Sequence, residues 1–402
     1  MEKFRCHFCG RDYPLDVFHY LCPECGDPLL IATAKRGREI RPDRCSTLKV
    51  FQDFLPLVRV DDTLSLGEGW TSLHKMNRLA ARLGFSSLYA KNECQNPTHS
   101  FKDRGTAVVV QKARSLGIKA IGTVSTGNMA SSTAAYGAKA GISTYIFLKE
   151  GTPVEKVLST GIYGSHLFLV RGDYGSIFRT SLSLGEKLGI YFANSVDPFR
   201  IEGYKLASFE IFLQLARRPP HFLLVPVSSG GHLIGLMRGF LDLKKDGLID
   251  HLPVFVGVQA AGCSPLARAF AQGRETWTPF KNAETIAQAI SNPYPPGGRM
   301  ALHLIRENGG LMVGVSDTEI LKAQRELAAL EGIFCDPASA TTLAGLKKLI
   351  KLKVVRPRDI AVLVITGSGL KSMEMLKEHR IPVHKTTVAK LESDLRSAFH
   401  EL

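Results

Sequence analysis

A unit that repeats along the chain restricts the fold more than any other feature. An apolar run of five to seven residues ends in a turn rich in glycine, serine or threonine, as at residues 120–128, 221–232 and 360–371. Alternating strands and helices between residues 85 and 370 predict an α/β body with largely parallel sheets. Because open α/β sheets bind ligands beside the carboxyl ends of their strands, these turns are the candidate binding loops.

Length and hydropathy place the chain among globular proteins. Its 402 residues are 45% hydrophobic, which predicts two or three domains with a large core. The N-terminus carries no apolar run, and no apolar stretch of 18 residues occurs. We therefore expect neither a signal peptide nor a membrane span, and a cytoplasmic protein.

The net charge of +14 raises the question of an anionic partner. Basic residues are interspersed along the chain, and the densest group, within residues 347–358, has no interleaved aromatic residues to stack on bases. A solvent-exposed protein surface is a better explanation of this basic group than an RNA-binding site. We expect no nucleic acid and no membrane among the partners.

Two CxxC pairs stand near the N-terminus, each followed by glycine: Cys6 with Cys9, and Cys22 with Cys25. Such knuckles present thiolates from tight turns, and four of them fill a tetrahedral zinc site. Two disulfides would need an oxidising compartment, and a redox role would need only one pair. We predict a closed, structural zinc ribbon over residues 1–38, folded largely by the metal.

Residues 96–105 hold the candidate catalytic group. Lys102 lies between an aromatic residue and an Asp-Arg pair, after a proline turn and before a helix-compatible run. The positive end of a helix and partial burial both lower a lysine pKa, which suits an amine that attacks a carbonyl. A solvated lysine in a first helical turn is the alternative.

Three loops are candidate anion sites. Residues 125–128 and 228–232 follow strands and offer free backbone amides, although the first, taken alone, is more typical of a plain helix cap. In residues 190–205, Arg200 stands near Asn194 and Ser195 and is suited to a phosphate, unless it forms a surface pair with a nearby carboxylate.

The run Asn-Pro-Thr-x-Ser-Phe-Lys-Asp-Arg-Gly at residues 96–105 resembles the Schiff-base lysine segment of pyridoxal-phosphate enzymes of the tryptophan-synthase-β fold, and most of all threonine synthases. Residues 66–73, 125–128, 194–205 and 332–340 match further motifs in the same order. The resemblance covers about residues 60–372.

The resemblance implies a fold type II enzyme: two open, largely parallel α/β domains with the cofactor between them, behind the ribbon. The expected boundaries are 39–100 and 201–375 for a large cofactor-binding domain, 101–200 for a small domain, and 376–402 for a helical tail. We also expect a homodimer.

Residue roles follow from the same resemblance. It implies that Lys102 is catalytic and carries the cofactor, which is further bound by Asn128, Ser228, Ser229, Gly230, Gly231, His232 and Thr366. Substrate contacts are implied for Ser125, Thr126, Asn194, Ser195 and Arg200. The chain departs from the family pattern at His99, Met129, Tyr204 and Leu206, which affects the substrate pocket.

The implied reaction is that of a threonine synthase, which converts O-phospho-L-homoserine and water to L-threonine and phosphate. A β-replacement enzyme that uses O-phosphoserine, such as a cysteate synthase or an O-phosphoserine sulfhydrylase, is the alternative. A serine or threonine dehydratase would have no use for a phosphate site. A zinc-ribbon regulatory protein on an inactive enzyme scaffold predicts the loss of Lys102, which is present.

Overall fold

The structure is a computed structural model that describes residues 3–16, 18–32, 40, 46–379, 381 and 383–400. The predicted boundary between residues 38 and 39 lies outside these residues. The strands, in chain order, are β1 (Lys3–Arg5), β2 (Asp12–Tyr13), β3 (Leu30–Ala32), β4 (Leu73–Lys75), β5 (Ser87–Asn92), β6 (Ala120–Val124), β7 (Ser143–Lys149), β8 (His166–Val170), β9 (Tyr191–Phe192), β10 (Phe222–Pro226), β11 (Val254–Ala260), β12 (Leu311–Val315) and β13 (Ile360–Ile365).

The α-helices alternate with these strands through most of the chain. They are α1 (Thr47–Val50), α2 (Asn77–Leu83), α3 (Lys102–Ser115), α4 (Asn128–Ala140), α5 (Val154–Gly161), α6 (Tyr174–Leu188), α7 (Pro198–Tyr204), α8 (Leu206–Gln214), α9 (Gly231–Lys245), α10 (Pro265–Ala271), α11 (Gly298–Glu307), α12 (Asp317–Glu331), α13 (Pro337–Lys351) and α14 (Leu391–His400). Within the described residues, none of them has both the length and the apolar character needed to cross a bilayer.

The strands form three sheets. The N-terminal ribbon is an antiparallel sheet in the order β2-β1-β3. The large sheet has the order β12-β11-β10-β13-β5-β4 and is parallel except for the antiparallel edge strand β4. The small sheet, β8-β7-β6-β9, is entirely parallel. The prediction of an α/β body with largely parallel sheets is confirmed.

The central strands of the large sheet are apolar because both of their faces are covered. In β10, Leu223 and Val225 pack into one hydrophobic cluster, whereas Leu224 packs into another on the opposite face. Side chains of a strand alternate between faces, so a continuous apolar run is what a strand covered on both sides requires. The sheet is therefore a rigid support for the loops at its carboxyl end.

Helices α3 and α7 touch through glycines. A Cβ at Gly105 would lie 2.4 Å from Cγ of Arg200, and a Cβ at Gly203 would lie 2.2 Å from the carbonyl oxygen of Arg104. No side chain fits at either position, because the two helix backbones are already in contact. This close packing fixes α3, which begins at Lys102, against α7, which carries Arg200.

Candidate active site

A cavity of about 680 Å³ opens between the large and small sheets. Strands β6, β10 and β13 all end at its wall, and most predicted site residues lie in the loops that follow them. The predicted residues that line it are Lys102, Ser125, Thr126, Asn128, Ser195, Ser228, Ser229, Gly230, Gly231, His232 and Thr366. Loops separated by up to 264 positions in sequence (102 to 366) thus form one site.

Lys102 is the first residue of α3, as the sequence predicted, and its side chain is half-buried in the cavity wall. Its Nζ lies 4.4 Å from the ring centre of Phe101. Burial lowers the pKa of Lys102 from 10.5 to about 7, and the positive charge of Arg200 acts in the same direction. At neutral pH a large share of this amine is uncharged and able to attack an aldehyde.

The loop before Lys102 is held by its neighbours. The carboxylate of Asp103 accepts hydrogen bonds from the backbone N–H and the hydroxyl of Thr98, both at 2.6 Å. The backbone N–H of Phe101 donates to the carbonyl of Thr366 at 3.0 Å. These contacts tie the lysine loop to the end of β13 and fix the direction in which the amine points.

The turn after β10 has the form of an anion cradle. It enters the 15-residue helix α9, whose first amides have no partner within the helix and whose positive end faces the cavity. Gly230 has a φ of +95°, and a Cβ there would lie 2.8 Å from the carbonyl oxygen of Gly297. At Gly231 a Cβ would lie 2.3 Å from the carbonyl oxygen of Ser195, so only glycine fits.

His232 lies in the first turn of α9 and stacks on Phe101, with ring centres 3.7 Å apart and an angle of 19° between the planes. Neither ring nitrogen has a hydrogen-bond partner among the described residues, although the side chain is only 7% exposed. Burial, followed by the charge of Lys102, keeps the pKa of His232 well below its usual value. A neutral imidazole with two unused polar atoms indicates a missing ligand.

Thr366 follows β13 and belongs to a chain of hydroxyls. Its Oγ1 lies 2.9 Å from Oγ of Ser339, which donates to the carboxylate of Asp336 at 2.6 Å. Burial raises the pKa of Asp336 to about 6. Thr366 therefore presents a neutral, oriented hydroxyl to the cavity.

The loop after β6 also lines the cavity. Oγ of Ser125 accepts a hydrogen bond from the N–H of Gly127 at 3.2 Å, and Asn128 begins α4. The amide nitrogen of Asn128 lies close to Gly367, where an added Cβ would be 3.1 Å from it. Asn128 is thus on the same side of the cavity as Thr366.

The structure does not bring Asn194 and Arg200 to the cavity, in contrast to the prediction for direct substrate contacts. Arg200 is fully buried and donates to the carbonyl of Ala193 at 2.9 Å and to the hydroxyl of Thr106 at 2.7 Å. The amide oxygen of Asn194 accepts from the N–H of Val124 at 2.8 Å. Both side chains are engaged within the protein and stand behind the wall.

Sequence reasoning missed a buried charge network below the lysine loop. Arg104 donates to Glu93 and to Glu210, and Lys91 donates to Glu210 at 2.6 Å, with all four side chains at most 1% exposed. Burial alone would raise the pKa of Glu210, but the charges of Arg104 and Lys91 outweigh it and lower the pKa to about 2.

Two lysines on the cavity wall, Lys149 and Lys156, were also missed.

The four ribbon cysteines come together as predicted. The Sγ atoms of Cys6, Cys9, Cys22 and Cys25 all lie within 4.8 Å of one another. Sγ of Cys9 and Sγ of Cys22 are 3.8 Å apart. A zinc ion with Zn–S bonds of about 2.3 Å places its sulfurs about 3.8 Å apart in a tetrahedron, so the set fits zinc.

The matching family model is that of the pyridoxal-phosphate-dependent enzymes, which covers residues 64–367. The threonine synthase of Methanocaldococcus jannaschii is 38% identical over 377 residues, 91% of this chain and 92% of its own length. The threonine synthase of Methanosarcina acetivorans is 37% identical and covers 92% of each chain.

Solved structures show the same fold at low identity. The processed form of threonine deaminase isoform 2 from Solanum lycopersicum has a TM-score of 0.64 and 21% identity, over 80% of this chain and 81% of its own. Maize serine racemase has a TM-score of 0.64 and 19% identity, over 82% and 93%.

An amine, an anion cradle and a neutral hydroxyl around one cavity, on this two-sheet frame, define a pyridoxal-phosphate-dependent enzyme of fold type II. The cradle in which only glycine fits and the unpartnered His232 are suited to the cofactor phosphate. Within this class, the chain belongs to the threonine synthase family.

Proposed function

We propose that this protein is a lyase that converts O-phospho-L-homoserine and water to L-threonine and phosphate, with pyridoxal phosphate as its cofactor. The supporting observation is the amine of Lys102, with a pKa near 7, on a cavity that holds a glycine cradle on one side and further anion-binding groups on the other.

The residues of this cavity suit each part of the cofactor. Lys102 would hold the aldehyde carbon, and the amides of residues 228–232 would hold the phosphate. Thr366 would face the pyridine nitrogen, and Asn128 would donate to the phenolic oxygen. When bound, the cofactor withdraws electrons from the substrate carbons.

Proton movement falls to Lys102. An amine whose pKa is near the working pH both accepts and returns a proton, which is the requirement for a general acid–base group. The ring of Phe101, on which His232 stacks, lies 4.4 Å from this amine. The position of the amine is set by the contacts of Asp103 with Thr98.

The leaving phosphate needs positive charge and donors. Ser125, Thr126, Ser195 and Lys156 line the cavity. The side chain of Lys156 is 30% exposed, and its amine lies 3.9 Å from a carboxylate oxygen of Glu374. We assign direct contact with the substrate phosphate to these groups. Arg200 would act from behind the wall, where its buried charge lowers the pKa of Lys102, and Asn194 would position the end of β6.

Use of O-phosphoserine in a β-replacement is the second candidate, and Met129 favours it. This side chain lines the cavity and is 5% exposed, so it narrows the space beside the Ser125 loop. Phosphoserine is one methylene shorter than phosphohomoserine and would fit a narrower site.

The deciding experiment measures phosphate release from each substrate by the purified protein with pyridoxal phosphate. We expect release from phosphohomoserine with threonine as the product, and little release from phosphoserine. Lys102→Ala should abolish both reactions. Equal rates, or faster release from phosphoserine, would overturn the assignment.

We further propose one structural zinc ion in the ribbon, a reducing and hence cytoplasmic location that preserves its thiolates, and a homodimer. The cysteine geometry supports the zinc. Metal analysis of the purified protein tests it: Cys22→Ser should lose this ion, and a parent protein that holds no zinc would refute the site.

A further inference from the structure

We propose that His7, His303 and Glu307 form a second metal site, distinct from the four cysteines, at the seam between the ribbon and α11. It would take an exchangeable divalent transition-metal ion such as Zn²⁺, Co²⁺ or Ni²⁺. One ligand comes from the ribbon and two come from the catalytic body.

The three side chains already converge. One ligand atom from each lies within 4.8 Å of the others. Nε2 of His303 and Oε2 of Glu307 are 3.7 Å apart, one helical turn from each other on α11. The rings of His7 and His303 are 4.7 Å apart between centres, at 63°. Bonds of about 2.0–2.2 Å to zinc place neighbouring ligand atoms about 3.4 Å apart, so small side-chain rotations complete the set.

The donor set favours a transition metal over a simple ion pair. An exposed pair such as His303 and Glu307, which are 45% and 55% exposed, contributes little on its own. Two imidazole nitrogens, which are borderline ligands, and one carboxylate oxygen form a donor set that suits Zn²⁺, Co²⁺ and Ni²⁺ and leaves positions for water. An open, exposed site exchanges its ion readily, whereas the four-cysteine site is closed.

His7 is free for this role because it stands between Cys6 and Cys9 without belonging to their cluster. The ribbon already meets α11 beside it: Arg299 pairs with Asp27 at 2.6 Å, and its guanidinium lies 3.9 Å above the ring of Phe8. The proposed ion would therefore add a link between two surfaces that are already in contact.

This link would reach the active site through the start of α11. The N–H of Gly297, directly before the helix, donates to the carbonyl of Ser229 in the cofactor cradle at 2.9 Å. An ion that fixes α11 to the ribbon thus restrains the helix whose first turn supports the cradle.

The test counts ions in the full-length protein with its cofactor bound. After equilibration with buffered Zn²⁺ and removal of free metal, we expect two ions per chain, with the second released by a weak chelator. Co²⁺ substitution separates the sites, because only the cysteine site gives intense thiolate-to-cobalt absorption.

His303→Ala and Glu307→Gln should each lower the affinity for the second ion by at least about 100-fold, since even changes to residues that only support the ligands cost about 10–100-fold in metal affinity. Both side chains are exposed, so both variants should fold and keep the thiolate–cobalt absorption. His251→Ala is the matched control, because this exposed histidine pairs with Asp250 and belongs to neither of the two clusters found among the described residues. One ion per chain in excess zinc, or a second ion retained in both variants, would overturn the proposal.

Discussion

The low pKa of Lys102 gives the sharpest test of the site. An ordinary lysine with a pKa of 10.5 is about 0.3% neutral at pH 8, whereas one with a pKa of about 7 is about 90% neutral, roughly a 300-fold difference. Because only the neutral amine reacts, the reactivity of Lys102 in the cofactor-free protein should rise through pH 7 and level off near pH 8 to 9.

Competitive labelling measures this midpoint. The cofactor-free chain is exposed briefly to an amine-reactive reagent at a series of pH values, and mass spectrometry compares the Lys102 peptide with that of an exposed lysine such as Lys390. Steric hindrance by the cavity wall slows the labelling of Lys102 at every pH, but it leaves the midpoint of the curve, which is set by the pKa, unchanged.

Arg200 supplies the perturbation. Burial is the larger cause of the low pKa and the charge of Arg200 is the second, so Arg200→Met should move the midpoint upward without restoring 10.5. Arg200→Lys keeps the positive charge and should keep the low midpoint, which separates the effect of charge from that of packing. A parent midpoint above about 9.5, or a midpoint unmoved in Arg200→Met, would refute the reasoning.

Three further predictions concern stability and the cofactor. Glu210→Gln leaves Lys91 and Arg104 without their shared carboxylate and should lower the free energy of unfolding by about 3–5 kcal/mol in denaturant titration. The control Glu392→Gln removes a charge from an exposed pair and should change the free energy of unfolding little. Equal losses in the two variants would contradict a stabilising role for the buried network. Gly231→Ala places a Cβ 2.3 Å from a carbonyl oxygen and should lower the free energy of unfolding by about 1–3 kcal/mol. It should also weaken pyridoxal phosphate binding, measured by titration of the cofactor-free protein. Unchanged binding would show that the cradle does not hold the cofactor. If the ribbon holds zinc as proposed, a chelator should unfold the ribbon before the catalytic body, as followed by hydrogen exchange. Uniform exchange in both would argue against a metal-dependent ribbon.

The strands were predictable because local signals define them. In the units 120–128 and 360–371, the apolar runs form strands at residues 120–124 and 360–365, since each run is bounded by turn residues. The edge strand β4 was not predicted: it spans only three residues, Leu73–Lys75, with no clear alternation of apolar and polar side chains. Local patterns are weakest for such short edge strands.

Side-chain direction was the main limit at the site. The sequence places Arg200 near Asn194 and Ser195, but it does not show that the guanidinium points to Thr106 rather than to the cavity. The buried network was equally hidden, because Lys91 and Glu210 are 119 positions apart and each alone resembles a surface residue. Motif matching found the loops, whereas tertiary packing decides which side chains face the ligand.

The contact between Gly105 and Gly203 has a consequence for protein engineering. These two glycines, one in α3 and one in α7, are 98 positions apart in sequence. A larger side chain at either position would fit only if the other helix moved away. A chimaera that takes α3 from a homologue in which the residue facing this helix is bulkier would displace the amine of Lys102. Fragment exchange between relatives should therefore transfer both helices as one module.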